Sequence, residues 1–300
     1  MLRRTPISSS IFNYGRHKSL QFRLFSTETI YKLSGRNRQR IYALRKVYSP
    51  LLIHKKGSQE WIKLINSGKV WEDYFRPFEW RAQDYDFQAE YNRFLKVIDG
   101  IKGSSKIPSV DLLRGMIVSF TQHSCAMEGN TLGLRETQRV WNSLNKNCNL
   151  GDFLKNQEMM LPAPNILSDK PEDEVIEIRN HLLATYFLYN NLYKCEHEID
   201  LDSIKKVHRI LLKDTPMEVI ELEEDEAHDR SLYQHAGEFR KVEVEARGSV
   251  YTVYPLPAEV PALMERFIQF RDGSKNSGLH PLIIASRILS TFLHVHPFID

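Results

Sequence analysis

The chain has 300 residues and a mass of 35.1 kDa, more than one average domain of about 150 residues. Apolar residues make up 42% and charged residues 26%, which is typical of a globular protein and excludes a largely disordered, collagen-like or coiled-coil chain. Apolar runs stay shorter than the ~18 residues of a membrane span. Cys125, Cys148 and Cys195 show no CxxC spacing, which fits a reducing compartment.

The net charge of +3 hides an asymmetry between the N-terminus and the remainder of the chain. Residues 1–59 hold thirteen Lys/Arg and one acid, Glu28, which leaves 28 bases and 37 acids elsewhere, a net charge of −9. A body of that sign gives no support to nucleic-acid binding.

The first 25 residues have the composition of a mitochondrial transit peptide, with several hydroxyl residues and no acid. Their basic residues are Arg3, Arg4, Arg16, Lys18 and Arg23. Arg23-Leu24-Phe25-Ser26 is similar to a matrix-protease cleavage site, so we expect mitochondrial localisation and a mature N-terminus near Ser26. The alternative is a disordered basic tail on a cytoplasmic protein.

Residues 26–105 are interpreted as an N-terminal extension and linker. Residues 30–60 are basic and resemble a linker, and the stretch 61–87 is crowded with aromatic residues. That stretch either docks along a domain surface or binds a partner; we favour docking, because large aromatic residues left in water form an adhesive patch. A helix is predicted at about 87–102, before a boundary in GSSKIP.

Residues 106–300 predict a mainly α domain with one β-hairpin. Helices are expected from Ser109 to Glu128, from Glu172, from about Leu201, from Pro257, and from Leu282 to about Leu293. The last helix is apolar nearly all round, which predicts a buried central helix. β-favouring runs at 239–244 and 249–254 predict the hairpin, and 145–171 is read as an inserted loop.

Two groups of residues carry candidate chemistry. His296 and Asp300 follow the last helix, where His296 suits a general base and Asp300 an oxygen ligand for Mg²⁺. The alternative for His296 is a packed, hydrogen-bonded histidine. Glu128 lies on the last turn of a helix, where the helix dipole disfavours negative charge, so it either meets a cation or lies in solvent.

A third hypothesis is a transition-metal site formed by His294 and His296 with Asp300 or His280. Residues two apart on a helix face different directions, which weighs against it.

Taken together, these motifs resemble the Fic (Fido) domain proteins, most of which transfer AMP from ATP to a protein hydroxyl. The family's active-site motif His-Pro-Phe-x-Asp-Gly-Asn-Gly-Arg is matched in its first five positions by residues 296–300. Its inhibitory motif, Ser/Thr-x-x-x-Glu-Gly/Asn, is matched by residues 124–129. Between them lie Gly237-Glu238-Phe239-Arg240 before the flap and Pro281-Leu282 at a helix start, in the family's order.

The resemblance implies a Fic-like helical domain with a β-hairpin flap, and a role for each matched residue. His296 would take the proton of a target Ser, Thr or Tyr, Asp300 would hold Mg²⁺, and Phe298 would anchor the loop. Glu128 would inhibit near the γ-phosphate of ATP, although in some relatives this glutamate supports AMP removal. The substrate-binding flap would comprise Arg247, Gly248, Ser249, Val250, Tyr251 and Thr252.

The family motif continues with Gly-Asn-Gly-Arg, whereas the sequence here ends at Asp300. We interpret the chain either as truncated within the motif or as a catalytically incomplete Fic-like module that acts by protein binding. The expected function is AMPylation by a protein adenylyltransferase, with ATP and Mg²⁺ and a target protein as partners. A homodimer is left open.

Overall fold

The computed structural model describes residues 35–78, 87–147, 150, 167, 169–190, 198–222, 232–245, 252–275 and 277–299. The expected transit peptide, most of the expected inserted loop, flap residues Arg247–Tyr251 and Asp300 lie outside these residues. None of the described helices combines the length and the apolar composition that a membrane crossing requires.

The described part of the chain is mainly helical, as expected. Its helices are α1 Gly35–Val47, α2 Gln59–Asn66, α3 Lys69–Phe75, α4 Phe87–Ser104, α5 Ser109–Met127, α6 Leu134–Asn147, α7 Glu172–Tyr189, α8 Leu201–Leu212, α9 Val260–Ser274 and α10 Pro281–Val295. Short 3-10 turns cover Ser49–Ile53 and Pro257–Glu259. Local chemistry explains several starts; for example, the Asp200 side chain accepts a hydrogen bond from the backbone N–H of Ser203 at 2.7 Å and caps α8.

One apolar core surrounds α7, which packs against α5, α6 and α8. Ile178 and Leu182 of α7 are fully buried, as are Val140 and Leu144 of α6. The helix at the centre of this core is therefore α7. Polar as well as apolar residues of α7 are buried. The helix therefore has no distinct apolar stripe.

The expectation that the last helix is buried on all sides is wrong. In α10, Leu282, Leu289 and Leu293 are 49%, 58% and 57% exposed, and only Thr291 and Val295 are buried. The described neighbours, chiefly α9, cover one side of this helix. An apolar sequence favours burial of a helix, but burial on all sides also requires other elements to pack on its second side. The described residues do not provide them.

A second core joins the N-terminal helices to the C-terminal part of the chain. Trp71 of α3 is fully buried, and its indole N–H donates to the Val253 carbonyl at 2.8 Å. Around it pack Val260 and Leu263 of α9. The described part of the aromatic stretch, 61–78, therefore docks on the domain, as expected. The basic segment before it contains the helix α1. The sequence predicts a linker there, because charged residues are abundant in this segment.

The described residues contain one hairpin, formed by the antiparallel strands β1 Val219–Leu222 and β2 Leu232–His235. Val219 pairs with His235, and Leu222 with Leu232. The hairpin lies earlier in the chain than expected, since 239–245 form no strand. The backbone N–H of Arg240 instead donates to the Pro297 carbonyl at 2.9 Å, so this extended segment pairs with the loop after α10.

Candidate active site

His296 terminates α10 in a left-handed backbone conformation, with φ at 46°. Its backbone N–H still closes the helix by donating to the Phe292 carbonyl at 3.0 Å. Pro297 follows and prevents further helix. The preceding residue, Val295, is fully buried, so the histidine is attached to a rigid part of the molecule.

The ring of the half-buried His296 is oriented by two contacts. Its Nδ1 lies 3.2 Å from the Phe298 carbonyl, and the edge of the ring meets Tyr254 with centroids 4.8 Å apart. A carbonyl oxygen can only accept a hydrogen bond, so Nδ1 carries the proton in this contact. The lone pair is then on Nε2, the nitrogen that is able to accept a proton from a substrate.

Phe298 is buried, 7% exposed, in an aromatic pocket. Its ring stacks on His208 of α8 with centroids 4.2 Å apart, and Phe239 lies 5.7 Å away. The structure thus places Phe298 between α8 and the Phe239 segment, and its anchoring role remains a prediction.

The segment that lines this pocket requires glycine at position 237. Gly237 has φ of 84°, and its N–H donates to Nδ1 of His208 at 2.8 Å. A Cβ at this position would lie 2.8 Å from the Lys205 carbonyl of α8. Both the backbone conformation and the close approach to α8 therefore favour glycine here.

Arg240 contacts the His296 loop directly, a role that its sequence motif did not reveal. The side chain is 2% exposed, and its Nε donates to the His296 carbonyl at 2.7 Å. The motif Gly237-Glu238-Phe239-Arg240 was the available signal, but the partner is 56 residues away along the chain.

Glu128 lies at the exposed C-terminal end of α5. The residues after it are fixed to α7: the Asn130 side-chain amide donates to Glu177 Oε2 at 2.7 Å, and the Thr131 N–H donates to Glu174 Oε2 at 2.7 Å. Across the described residues, Glu128 makes no ion pair and no hydrogen bond to the His296 loop. Of the two alternatives for Glu128, a cation partner or solvent, the described residues show the exposed position.

Of the expected flap, Thr252 is described, and it is half-buried next to Val253. The expected magnesium ligand, Asp300, has no described side chain.

The histidines of the metal-site hypothesis bond elsewhere. His280 contacts Asp99 Oδ1 at 3.2 Å, and Nδ1 of the exposed His294 donates to the Ser290 carbonyl at 2.7 Å. No group of three or more His, Cys, Asp or Glu residues suited to a metal occurs in the part of the chain that the structure describes.

Comparison with known proteins identifies the domain that carries this site. Residues 198–300 match the model of the Fic/DOC family. The match covers α8, the hairpin, the Arg240 segment, α9, α10 and the His296 loop. This part of the chain is therefore similar to the domains of the Fic/DOC family.

Three similar proteins are each named "Protein adenylyltransferase Fic". Those of Drosophila grimshawi and Drosophila virilis are 28% identical over 179 residues, and that of Drosophila persimilis is 27% identical over 179 residues. Each alignment covers 59% of this chain, and 29%, 28% and 27% of the respective relative. The chain therefore spans less than a third of the length of the curated relatives it matches.

Proposed function

We propose that this Fic domain transfers AMP from ATP to a hydroxyl side chain of a target protein, with His296 as the general base. The observation that carries the proposal is the geometry of His296, whose Nδ1 is engaged by the Phe298 carbonyl at 3.2 Å. The names of the relatives, protein adenylyltransferases, support this activity over others.

In the proposed reaction, Nε2 of His296 accepts the proton of a Ser, Thr or Tyr hydroxyl as its oxygen attacks the α-phosphorus of ATP. A bond forms between that oxygen and the α-phosphorus. The bond from the α-phosphorus to the oxygen that bridges to the β-phosphate breaks, and its electron pair leaves with pyrophosphate. The proton remains on His296.

Asp300 would hold Mg²⁺, because a carboxylate is the kind of hard oxygen ligand that this ion prefers. The ion, when bound, neutralises negative charge on the phosphates. Phe298 keeps the loop in place from its pocket against His208. The flap, Arg247–Thr252, would bind the target backbone as an added strand.

The test compares His296→Ala with His294→Ala in an AMP-transfer assay. His294 is the matched control, because it lies two residues away on the same helix end but is exposed and bonded to Ser290. Removing a general base lowers the rate by about 10²–10⁴-fold. We expect that loss for His296→Ala and unchanged transfer for His294→Ala, measured by mass spectrometry of AMP-modified protein.

The assay is run on the 300-residue chain and on the chain extended with Gly-Asn-Gly-Arg. Transfer that depends on His296 in either form supports the proposal. No transfer in either form would contradict it and favour the binding module instead.

We further propose that Glu128 inhibits the reaction by pairing with the arginine of the motif loop, which keeps the γ-phosphate of ATP from its productive place. In the chain extended with Gly-Asn-Gly-Arg, Glu128→Gly should then raise AMP transfer, because the carboxylate no longer blocks the phosphate-binding arginine. Met127→Gly is the matched control, since Met127 is 80% exposed at the same helix end and reports the effect of a glycine alone. Equal transfer in wild-type protein and Glu128→Gly would make Glu128 a structural residue.

A further inference from the structure

We infer that Arg240 is a positioning residue that holds the His296 loop in its reactive conformation; this inference rests on the proposed function. The reason to look at Arg240 is its unusual environment. Arginine is seldom buried without a carboxylate partner, because removing its charge from water is costly. Arg240 is 2% exposed, and in the described chain it makes no ion pair.

Its partners are backbone carbonyls from three segments. Nε donates to the His296 carbonyl at 2.7 Å, Nη1 to that of Val242 at 3.1 Å, and Nη2 to that of Pro255 at 2.5 Å. Val242 precedes the expected flap and Pro255 follows it. One planar guanidinium therefore joins the described segments on either side of the expected flap to the loop that carries the histidine.

The backbone of Arg240 strengthens this connection. Its N–H donates to the Pro297 carbonyl at 2.9 Å, so Arg240 binds two consecutive carbonyls of the loop. Fixing both carbonyls fixes the peptide planes on either side of Pro297. This constraint supports the positive φ of His296, a conformation that costs energy for a residue other than glycine.

The anchor at Pro255 is itself held in place. The N–H of the next residue, Leu256, donates to Glu259 Oε2 at 2.9 Å and to the Tyr48 hydroxyl at 3.0 Å. Both of these side chains are buried. The guanidinium thus connects the histidine loop to a rigid part of the second core, including the N-terminal helix region.

The charge of Arg240 persists in this environment. Burial lowers the pKa of Arg240 to about 10, while nearby Tyr48, Glu243 and Glu259 act in the opposite direction. A pKa of about 10 leaves the guanidinium protonated at neutral pH. All its carbonyl partners can therefore receive charge-assisted hydrogen bonds.

The experiment compares Arg240→Met, Arg240→Lys and the control Arg179→Met. Arg179 is the matched control because it is also 2% exposed but pairs with Asp214 in the α7 core, 2.8 Å away. Two quantities are measured: hydrogen exchange of the His296 amide, corrected for global stability, and kcat and KM for AMP transfer. Arg240→Lys serves if the methionine variant does not fold, since lysine keeps the charge but loses the planar fork.

We expect the His296 amide to exchange about tenfold faster or more in both Arg240 variants, because the loop opens locally. We expect kcat to fall by about 10²-fold in Arg240→Met with KM for ATP nearly unchanged, since misplacing a reacting group affects the chemical step. Arg240→Lys should lie between. Arg179→Met should change neither quantity once its stability is taken into account.

Exchange at His296 that is no faster in the Arg240 variants than in Arg179→Met would overturn the inference, as would an equal loss of kcat in the control. If the wild-type protein transfers no AMP, the proposed function fails, and the exchange measurement alone decides the role of Arg240.

Discussion

Glu259 is a carboxylic acid buried among backbone and side-chain donors. Tyr48 Oη donates to its Oε2 at 2.5 Å, and the N–H groups of Leu256 and Trp71 donate to its carboxylate at 2.9 and 3.4 Å. Burial nevertheless raises the pKa of Glu259 from 4.5 to about 7, because these donors and Arg240 only partly offset the loss of water. The folded protein therefore holds a proton on Glu259 more tightly than the unfolded chain does.

This difference predicts a pH dependence of stability. The contribution of Glu259 is fully present below its unfolded pKa of 4.5 and is lost as the pH rises through about 7. The free energy of unfolding should thus decline between pH 5 and pH 8 by roughly 3 kcal/mol at most from this group. Urea unfolding of wild-type protein and Glu259→Gln at several pH values measures this decline in the free energy of unfolding. A difference between the two proteins that stays constant across this range would contradict the assignment.

Cys125 provides a second prediction at the residue scale. The thiol is buried in the α5–α7 core, and burial, with Glu177 second, raises its pKa to about 12. Since only the thiolate is an effective nucleophile, native Cys125 should stay unmodified by iodoacetamide at pH 7.5 and react after unfolding. Mass spectrometry of peptides checks this, and rapid modification of the native protein would show that the core opens there.

At the scale of elements, α9 and α10 differ in how completely they are covered. Leu263 of α9 is fully buried, whereas Leu289 of α10 is 58% exposed. Leu263→Ala should cost about 2–5 kcal/mol of unfolding free energy, as is typical of a truncated core leucine. Leu289→Ala should cost less than about 0.5 kcal/mol, as for an ordinary surface site. Similar losses in urea denaturation would mean that the exposed face of α10 is covered in solution.

Sequence periodicity located most of these elements because their start and stop signals are local. The expected start at Glu172 and the expected Ser109 helix were found at the right residues. The helix α6 was missed, although Val140 and Leu144 are spaced one turn apart. The hairpin was predicted at 239–254 because a β-favouring run indicates a preference for extended backbone. It does not identify the segment with which that backbone pairs. Here the partner of Arg240 is the loop at Pro297.

The candidate site was predictable only in part for the same reason. His296 and Phe298 stand in one short motif, so the sequence alone brought them together. The contact of the Arg240 guanidinium with the His296 carbonyl joins distant segments, and no pattern along the chain encodes it. The exposed position of Glu128 likewise depends on what surrounds the end of α5.

For the whole molecule, the notable feature is that the N-terminal helices complete a core with the C-terminal domain. Tyr48, 1% exposed, follows α1 and reaches Glu259 beside α9. Trp71 of α3 contacts the same carboxylate and Val253. Residues 35–78 thus help to hold the segment on which Arg240 and the His296 loop depend.

Removing one hydroxyl tests this connection. Tyr48→Phe leaves the buried acceptor Glu259 short of a donor, which should cost about 1–3 kcal/mol of unfolding free energy. Tyr42→Phe is the control, because Tyr42 lies in α1 shortly before Tyr48 and is 53% exposed. Thermal and urea unfolding compare the two variants. Equal stability of Tyr48→Phe and Tyr42→Phe would show that the N-terminal helices do not depend on this contact.

We propose that the domain transfers the AMP part of ATP through His296. The most direct measurement supplies ATP labelled on the α-phosphate or on the γ-phosphate, with the chain itself and a cell lysate as acceptors. The proposed reaction predicts that the α label becomes attached to protein, that the γ label leaves with pyrophosphate, and that His296→Ala abolishes the attachment. Protein that retains the γ label, or that retains the α label equally in His296→Ala, would contradict it.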